Sequence, residues 1–494
     1  RIVYKFLCNR YKSTALFFQP ASSGAGRLRV RHYGLLHSTP VMTEKQIKLQ
    51  FLWTVLLWAI AGYYGQVMAA DAEYQTYEKP VPGSVLEEQG SLEKALGTEN
   101  SGYWLLPSVN ELRELYWDKA TLTLKPRSYY LNKQRDGKPD RVAWAAGGSL
   151  EYRTGLYRDM FSTGATLYTS QKLYGPHDKD GTRLLRKGQK EITVLGEAYL
   201  DVRLNEAVSA RLYRQALHLP YLSINDTRMI PNTFEAYTLT GRRLGSDFSY
   251  GIGHVTRMKK LDSSSFKYMS DIAGADDTKK GLTVAGTRYT ISKWLHGGMT
   301  NHYAWDVMNT FYIEGNSAWA LKNDVALRLS GQYTRQQSVG DELIGDFNTS
   351  VFGLKLGASY KNAILSLAYT STDNDHDILA PFGGYPGYAS VIIKDFDRAG
   401  EDAWLVGLSF NATEIGLDGL TVFANYVDGD TPDSGPNASP DQQEFDITAD
   451  YYFPKSVAEG LWLRTRVALL DQQGPNATDQ QDYRIILNYT LPLH

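Results

Sequence analysis

From Ala120 onward, hydrophobic and polar positions alternate in short runs, each closed by a cluster of Gly, Asp, Asn or Pro. Such alternation marks a strand whose two faces meet different surroundings. In 319–333 (WALKNDVALRLSGQY), Leu321, Val325, Leu327 and Leu329 share one face, and Lys322, Asp324, Arg328 and Gln332 the other. In 444–453, Phe445, Ile447, Ala449, Tyr451 and Phe453 alternate with Asp446, Thr448, Asp450 and Tyr452. In 461–470, Leu461, Leu463, Val467 and Leu469 oppose Trp462, Arg464 and Arg466; in 482–491, Tyr483, Ile485, Leu487 and Tyr489 oppose Arg484, Ile486, Asn488 and Thr490. In 191–204, Ile192, Val194, Leu200 and Val202 oppose Glu197, Tyr199, Asp201 and Arg203.

About seventeen such segments fit between 119 and 491, and a closed bacterial outer-membrane barrel has an even number, so sixteen and eighteen both remain open. The connections are of two kinds. Leu204–Glu206, Arg243–Asp247 and Lys361-Asn362 are tight, whereas 170–189, 258–279, 371–400 and 428–442 are long and polar. Short turns at one end and long loops at the other are the pattern of a membrane barrel. The pairs Tyr129-Tyr130 and Tyr451-Tyr452, with Tyr483 and Tyr489, are expected near strand ends at the lipid–water boundary.

One long apolar run breaks the pattern, and it lies far upstream. Lys45 and Lys48 precede an apolar core, Phe51 to Ala61; residues 62–66 interrupt it, and Val67, Met68, Ala69 and Ala70 supply small residues for cleavage. That is the plan of a secretory signal peptide, and the core is too short to span a bilayer. The expectation is therefore that Met42 starts the working protein and that 1–41 is an upstream extension. On this reading 42–69 is the signal peptide, cut after Ala69. Residues 70–118 then form an N-terminal periplasmic extension with a short helix over 109–117, and 119–494 is the barrel.

Unpaired backbone groups in lipid cost several kcal/mol each, so an exported chain without a spanning helix points to a closed sheet in the outer membrane of a Gram-negative cell. The single Cys, Cys8, precedes the mature part, which excludes a disulfide framework. A net charge of -2 excludes the strong positive balance of a nucleic-acid binder. The 34 Tyr and 44 Gly suit a strand-rich exposed protein, including an adhesive or structural outer-membrane β-protein as the alternative reading. No enzyme is expected. HxxH patterns are absent, Gly383-Gly384 lacks a phosphate-loop context, and His218 and Ser223 have no supporting carboxylate. No metal or cofactor is expected.

Alternation sets Arg203, Arg211, Arg328, Arg464, Arg466 and Arg484 opposite the lipid-facing residues. A charge facing lipid at mid-depth costs about 2–4 kcal/mol, so these arginines should point inward or sit at a rim. Glu197, Asp201, Asp324 and Asp446 are the candidate acidic partners of that wall.

The stretch 219–243, LPYLSINDTRMIPNTFEAYTLTGRR, resembles a segment of the OprD-type outer-membrane porins of Pseudomonas-like bacteria. The matching residues are Leu219-Pro220, Asn225-Asp226, Arg228 and Pro231-Asn232-Thr233-Phe234-Glu235, with a departure at Met229-Ile230. Further similarity lies at 118–133 (DKATLTLKPRSYYLNK), at 167–175 and at 203–214, so the resemblance runs from about 115 to 494. Chains of this class usually end on an aromatic residue, and this one ends Leu491-Pro492-Leu493-His494. The resemblance implies an all-β, eighteen-stranded antiparallel barrel with an inward-folded constriction loop. Tyr221, Ser223, Asn225, Asp226 and Arg228 would belong to that loop, with Pro220 and Pro231 at its ends. It also implies an arginine-lined wall that guides carboxylates. The expected partners are small anionic or zwitterionic solutes (amino acids, organic acids, short peptides), outer-membrane lipid and lipopolysaccharide, and the barrel-assembly machinery.

Overall fold

The computed structural model describes residues 113–454, 458–474 and 476–494. The expected signal peptide, the upstream extension and most of the N-terminal extension lie outside the described residues. What is described of the helix expected over 109–117 ends in one turn, Glu114–Asp118.

Eighteen long strands form one antiparallel sheet. They are β1 (Thr121–Arg135), β2 (Arg141–Arg153), β3 (Phe161–Tyr174), β4 (Ile192–Arg203), β5 (Val208–Gln215) and β6 (Thr233–Arg242). Next come β7 (Phe248–Lys259), β8 (Leu282–Ser292), β9 (Leu295–Ala304), β10 (Met308–Ala320), β11 (Val325–Ser338) and β12 (Asn348–Tyr360). The last six are β13 (Ala363–Thr372), β14 (Asp402–Asn411), β15 (Leu420–Asp430), β16 (Asp441–Tyr452), β17 (Trp462–Gln473) and β18 (Gln480–Asn488). Each pairs with its neighbours in sequence, and β18 pairs with β1 from Arg127↔Asn488 to Arg135↔Gln480, which closes the barrel. Closure leaves no edge of unpaired N–H and C=O groups, the condition for spanning lipid.

The outward face carries the apolar set of the alternation. Leu329, Leu354, Leu356, Leu365, Leu367, Val406 and Leu408 are all exposed, as a lipid-facing band requires. Trp294, Trp319 and Tyr360 mark one end of that band, and Trp305, Tyr333 and Trp404 the other. The inward face is polar: Ser330, Gln332, Thr334 and Gln336 of β11 are buried inside the barrel, as are Glu444, Asp446, Thr448 and Asp450 of β16.

Strict period-two reading falls short where bulges interrupt it. At the β3–β4 pairing the register shifts between Thr166 and Leu167, with Gly196 as the extra residue opposite. The shift moves Ile192 and Val194 inward, against Tyr168 and Leu184, while Leu200 and Val202 keep the outward face. A second bulge lies in the β6–β7 pairing, where the register shifts between Glu235 and Ala236 and Thr256 is the extra residue on β7. Tyr129 and Tyr130, expected at a strand end, lie in the middle of β1, and Tyr129 is buried on the inward face.

One end of the barrel has compact turns, such as 204–207, 243–247 and 361–362. The opposite end carries the long connections 175–191, 216–232, 260–281 and 373–401. Two of these, 216–232 and 373–401, turn into the barrel. The apolar residues that would otherwise face water there pack on one another: Leu222, Phe234, Met258, Met269 and Phe382 share one buried cluster.

Candidate functional site

The 216–232 loop crosses the lumen. It begins with a small hairpin pairing His218–Leu219 with Leu222–Ser223, so Pro220 lies at a hairpin tip rather than at the loop's end. Beside that tip, Tyr221 reaches the far wall, where its hydroxyl donates to Thr334 Oγ1 of β11 at 2.8 Å. Its ring meets Tyr312 of β10 and Tyr385 of the 373–401 loop edge-on, at 6.2 and 6.0 Å. Burial holds the Tyr221 phenol above its ordinary pKa, so it remains a donor. The loop then returns across the barrel to β1. Ser223 N donates to Phe382 O, and Asn225 adopts a positive φ, which turns the chain. There Arg127 of β1 forks Asp226 at 2.6 and 2.9 Å and also donates to Arg228 O. Arg228 donates to the carbonyls of Thr182 and Thr227. Burial, then the charge of Arg484, pushes its pKa down to about 10, so it stays charged at neutral pH.

The 373–401 loop forms the other side of the narrowing, and the sequence reading did not assign it that place. Gly383, with φ +99, lies so close to Ser223 O and Asn232 Nδ2 that a Cβ would collide with both. Further along, Ile393 N and Lys394 N donate to the two oxygens of Glu444 at 2.6 and 2.9 Å, and Ile392 N donates to Asp446 Oδ2 at 3.1 Å. Arg484 Nη2 donates back to Ile392 O. Asp446, expected as a pore-lining acid, is thus buried and holds the loop instead. Asp395 and Asp397 of this loop are pushed above the ordinary aspartate range, by burial and, for Asp397, also by the neighbouring Asp395.

The six arginines expected on one wall divide. Arg464 and Arg466 of β17 and Arg484 of β18 come together: the register sets Arg466 opposite Arg484, and Arg464 opposite Ile486 one step lower. Arg127 and Lys133 of β1, which sequence reading missed, extend the same wall downward and upward, since Arg127 pairs in register with Asn488 and Lys133 with Asp482. Arg211 stands on β5, several strands away, where it forks Asp201 at 2.6 and 2.9 Å over the Tyr199 ring. Arg203 ends β4, and Arg328 is an exposed residue on the inward face of β11 near the compact-turn end. Glu197 accepts the Tyr168 hydroxyl at 2.6 Å. Asp324, expected on the wall, sits in the β10–β11 turn with φ 59, beyond the strand whose alternation had seemed to include it.

Acid partners decide which of these cations is available to a solute. Arg464 forks Asp450 at 2.6 and 2.6 Å, and Arg484 forks Asp482 at 2.7 and 3.0 Å. Arg466 donates to Thr448 Oγ1 at 3.1 Å and has no ion pair among the described residues. The Asp482 signal was present in the sequence, because residues two apart on a strand share a face. What remains is a passage bounded by Arg466 and Arg228 on one side and the acidic 373–401 loop on the other. Opposed charges across a narrow, low-dielectric space are able to orient a charged solute.

Comparison with known proteins gives the same answer. Residues 114–493 match the profile of the outer membrane porin family OprD. Porin D of Pseudomonas aeruginosa is 24% identical over 417 residues, covering 76% of this chain and 91% of that porin. The crystal structure of Pseudomonas aeruginosa OccK9 (OpdG) superposes with a TM-score of 0.69 at 22% identity, over 77% of this chain and 100% of that one. The structure of Pseudomonas aeruginosa OpdK with vanillate does so with a TM-score of 0.68 at 18% identity, over 76% and 100%. An eighteen-stranded closed barrel, two loops folded into its lumen and a profile match along its whole length place the chain in the OprD family of substrate-selective outer-membrane porins.

Proposed function

We propose that this porin passes small carboxylate-bearing solutes, such as amino acids and organic acids, and that Arg466 and Arg228 are the groups that receive the carboxylate. The observation that carries the reading is the inequality among the cations: Arg464, Arg484 and Arg211 already hold protein carboxylates, whereas Arg466 and Arg228 hold only neutral oxygens. A guanidinium pairs a carboxylate through two parallel N–H groups, and the pairing is worth more in a confined passage than in bulk water. The acidic 373–401 loop opposite favours a solute that also carries a positive group, as an amino acid does. OpdK, a relative by fold, was solved with vanillate. Passage requires that each contact be weak enough to release.

The test is single-channel recording in a planar bilayer with benzoate, arginine and a disaccharide. Benzoate or arginine should interrupt the current where the disaccharide does not, and R466Q should weaken the benzoate block about 10- to 150-fold, the loss of one charge-assisted contact of roughly 1.5–3 kcal/mol. Equal blocking by all three solutes, unchanged in R466Q, would remove the carboxylate assignment.

A further inference from the structure

The outer wall carries a group of charges that the passage does not use. Alternation along β6 puts Glu235, Tyr237 and Leu239 on the lipid-facing side, and Tyr237 is exposed there. Glu235 pairs in register with Arg214 of β5 and with Arg257 of β7. The second pairing depends on the bulge at Thr256: strict alternation along β7 would turn Arg257 into the lumen, and the extra residue brings it out beside Glu235. Glu235 Oε1 accepts from Arg214 Nε and Nη2 at 3.2 and 3.1 Å, and Arg257 Nη1 lies 3.6 Å from Oε2. Two cations share one carboxylate, so the group keeps one positive charge in excess. Aromatic rings hold both forks. Arg214 Cζ lies 4.2 Å from the centre of the Phe266 ring, and Arg257 Cζ 4.5 Å from that of Tyr268, whose hydroxyl accepts from Arg257 Nη2 at 2.9 Å. The short segment Lys267–Tyr268 brings these rings there by pairing with the end of β7. The Arg257 side chain is still 40% exposed, so the stack orders it without closing it off.

The register gives the height of the pair. One pleat below it, Tyr237 lies opposite His254 and His254 opposite Thr283. Thr283 Oγ1 accepts the indole N–H of Trp305, which marks the long-loop end of the apolar band. The two arginines therefore stand just above that end, at the depth of the headgroups of the outer leaflet. On the opposite side of the barrel the same level is acidic: Trp404 of β14 lies opposite Asp428, and one pleat higher Asp402 lies opposite Asp430. Beneath the arginines the wall is hollowed. An open apolar groove of about 490 Å³ runs down the lipid side of β3, β4 and β5, over Ala165, Ala198, Leu200 and Leu212. Tyr213 lines its end, and Arg214 Cζ is 5.3 Å from the centre of that ring, so groove and cations adjoin.

We propose that Arg214 and Arg257 form a site on the outer wall for the phosphate of an outer-leaflet lipid, such as lipopolysaccharide carries on its headgroup, with one acyl chain of the same lipid lying in the groove below. Two guanidiniums that converge on one carboxylate also converge on one tetrahedral oxyanion, which offers more oxygens than Glu235 does and carries more charge. The groove selects a lipid over a free anion, because it adds apolar burial directly under the charged site. The site faces away from the passage, so it stands independently of the carboxylate reading.

The experiment titrates lipid A, with its phosphates or dephosphorylated, into the purified protein in detergent and counts bound lipid by native mass spectrometry. The phosphorylated form should bind about tenfold more tightly, the equivalent of one charge-assisted contact. R257Q should lose most of that preference. E235Q, which removes the competing carboxylate and keeps its shape, should increase it. R335Q takes away a lone exposed arginine two residues above Tyr333 on the outer wall and should change it by less than about twofold. Single-channel conductance, which the outer wall does not set, reports that each variant has folded. Equal binding of the two lipid forms overturns the site, and so does a loss in R335Q as large as that in R257Q. If R257Q does not fold, E235Q decides: no gain in preference there overturns the site as well. Inorganic phosphate that displaces the lipid at equal concentration overturns the lipid assignment, since the groove would then add nothing.

Discussion

Glu444 is a single side chain on which the width of the passage depends. It is buried at the base of the 373–401 loop, and its two oxygens accept N–H groups from consecutive residues, Ile393 at 2.6 Å and Lys394 at 2.9 Å. Hydrogen bonds are worth about 0.5–1.5 kcal/mol to a neutral carboxyl and about 1.5–3 kcal/mol to a charged one, so removing two of them in E444A takes away roughly 1–6 kcal/mol of anchoring. Part of this returns, because Asp446 no longer faces a second buried acid. Among the anchors that remain are Ile392 N on Asp446, Arg484 on Ile392 O, Gln336 on both Leu379 N and Leu379 O, and Gln442 on Glu401. A net loss of about 3 kcal/mol would shift the balance between docked and loosened loop roughly 150-fold. The loop then stays attached at its ends and moves in its middle. Single-channel recording should find E444A with a higher mean conductance and with millisecond current noise that the parent lacks. A control for folding is the heat-modifiable band on a denaturing gel, which should persist. A folded E444A with the parent's conductance and the parent's noise would refute the anchoring argument.

Three further expectations follow from the same geometry. R464Q leaves Asp450 without its forked partner in a mostly buried place, so it should cost about 3 kcal/mol and lower the midpoint of heat modification, whereas R466Q, which strands no acid, should not. Asp395 and Asp397 have pKa values raised above the ordinary aspartate range, so they take up protons while the pH is still above about 4; the contribution of each to stability is full below its unfolded pKa and is lost as the pH rises through its folded one. Acidification should therefore raise anion over cation selectivity before ordinary aspartates titrate, read as a shift in reversal potential across a salt gradient, and D397N should flatten the shift. G383A forces a side chain into a left-handed backbone position against Ser223 O and Asn232 Nδ2, and should cost about 1–3 kcal/mol and separate the two lumen loops, seen as lower thermal stability with a larger conductance.

The barrel was legible because the requirement that writes it is local: each strand has a lipid face and a water face, and the period shows both. Arg464, Arg466, Arg484, Asp446 and Asp450 were assigned to the inward face from spacing alone, and they lie there. The same reasoning misassigned Asp324 because the alternation around it continues by accident into a turn. It misassigned Ile192 and Val194 because a bulge at Gly196 reverses the faces, and bulges leave no period of their own. The 373–401 loop was unreadable for a different reason. Its place in the lumen is fixed by backbone N–H groups meeting Glu444 and Asp446, and backbone groups are the same in every sequence. The division of the arginines into engaged and available ones needed the third dimension as well, except for Asp482 and Arg484, whose spacing of two already put them on one face.

An arginine forked on an aspartate is, from a distance, not a charge but a dipole. Arg464–Asp450, Arg484–Asp482 and Arg211–Asp201 therefore contribute little field beyond their immediate surroundings. A count of arginines thus overstates the wall as a beacon to anions: its unpaired charge is that of Arg466 and Arg228, and salt screens it in the bulk beyond about 8 Å. The pairs speak only to a solute that touches them, by offering N–H edges in a fixed order. Such a channel would gather its solutes by ordinary diffusion and sort them by contact, so its preference among acids should survive changes of ionic strength that would abolish long-range steering.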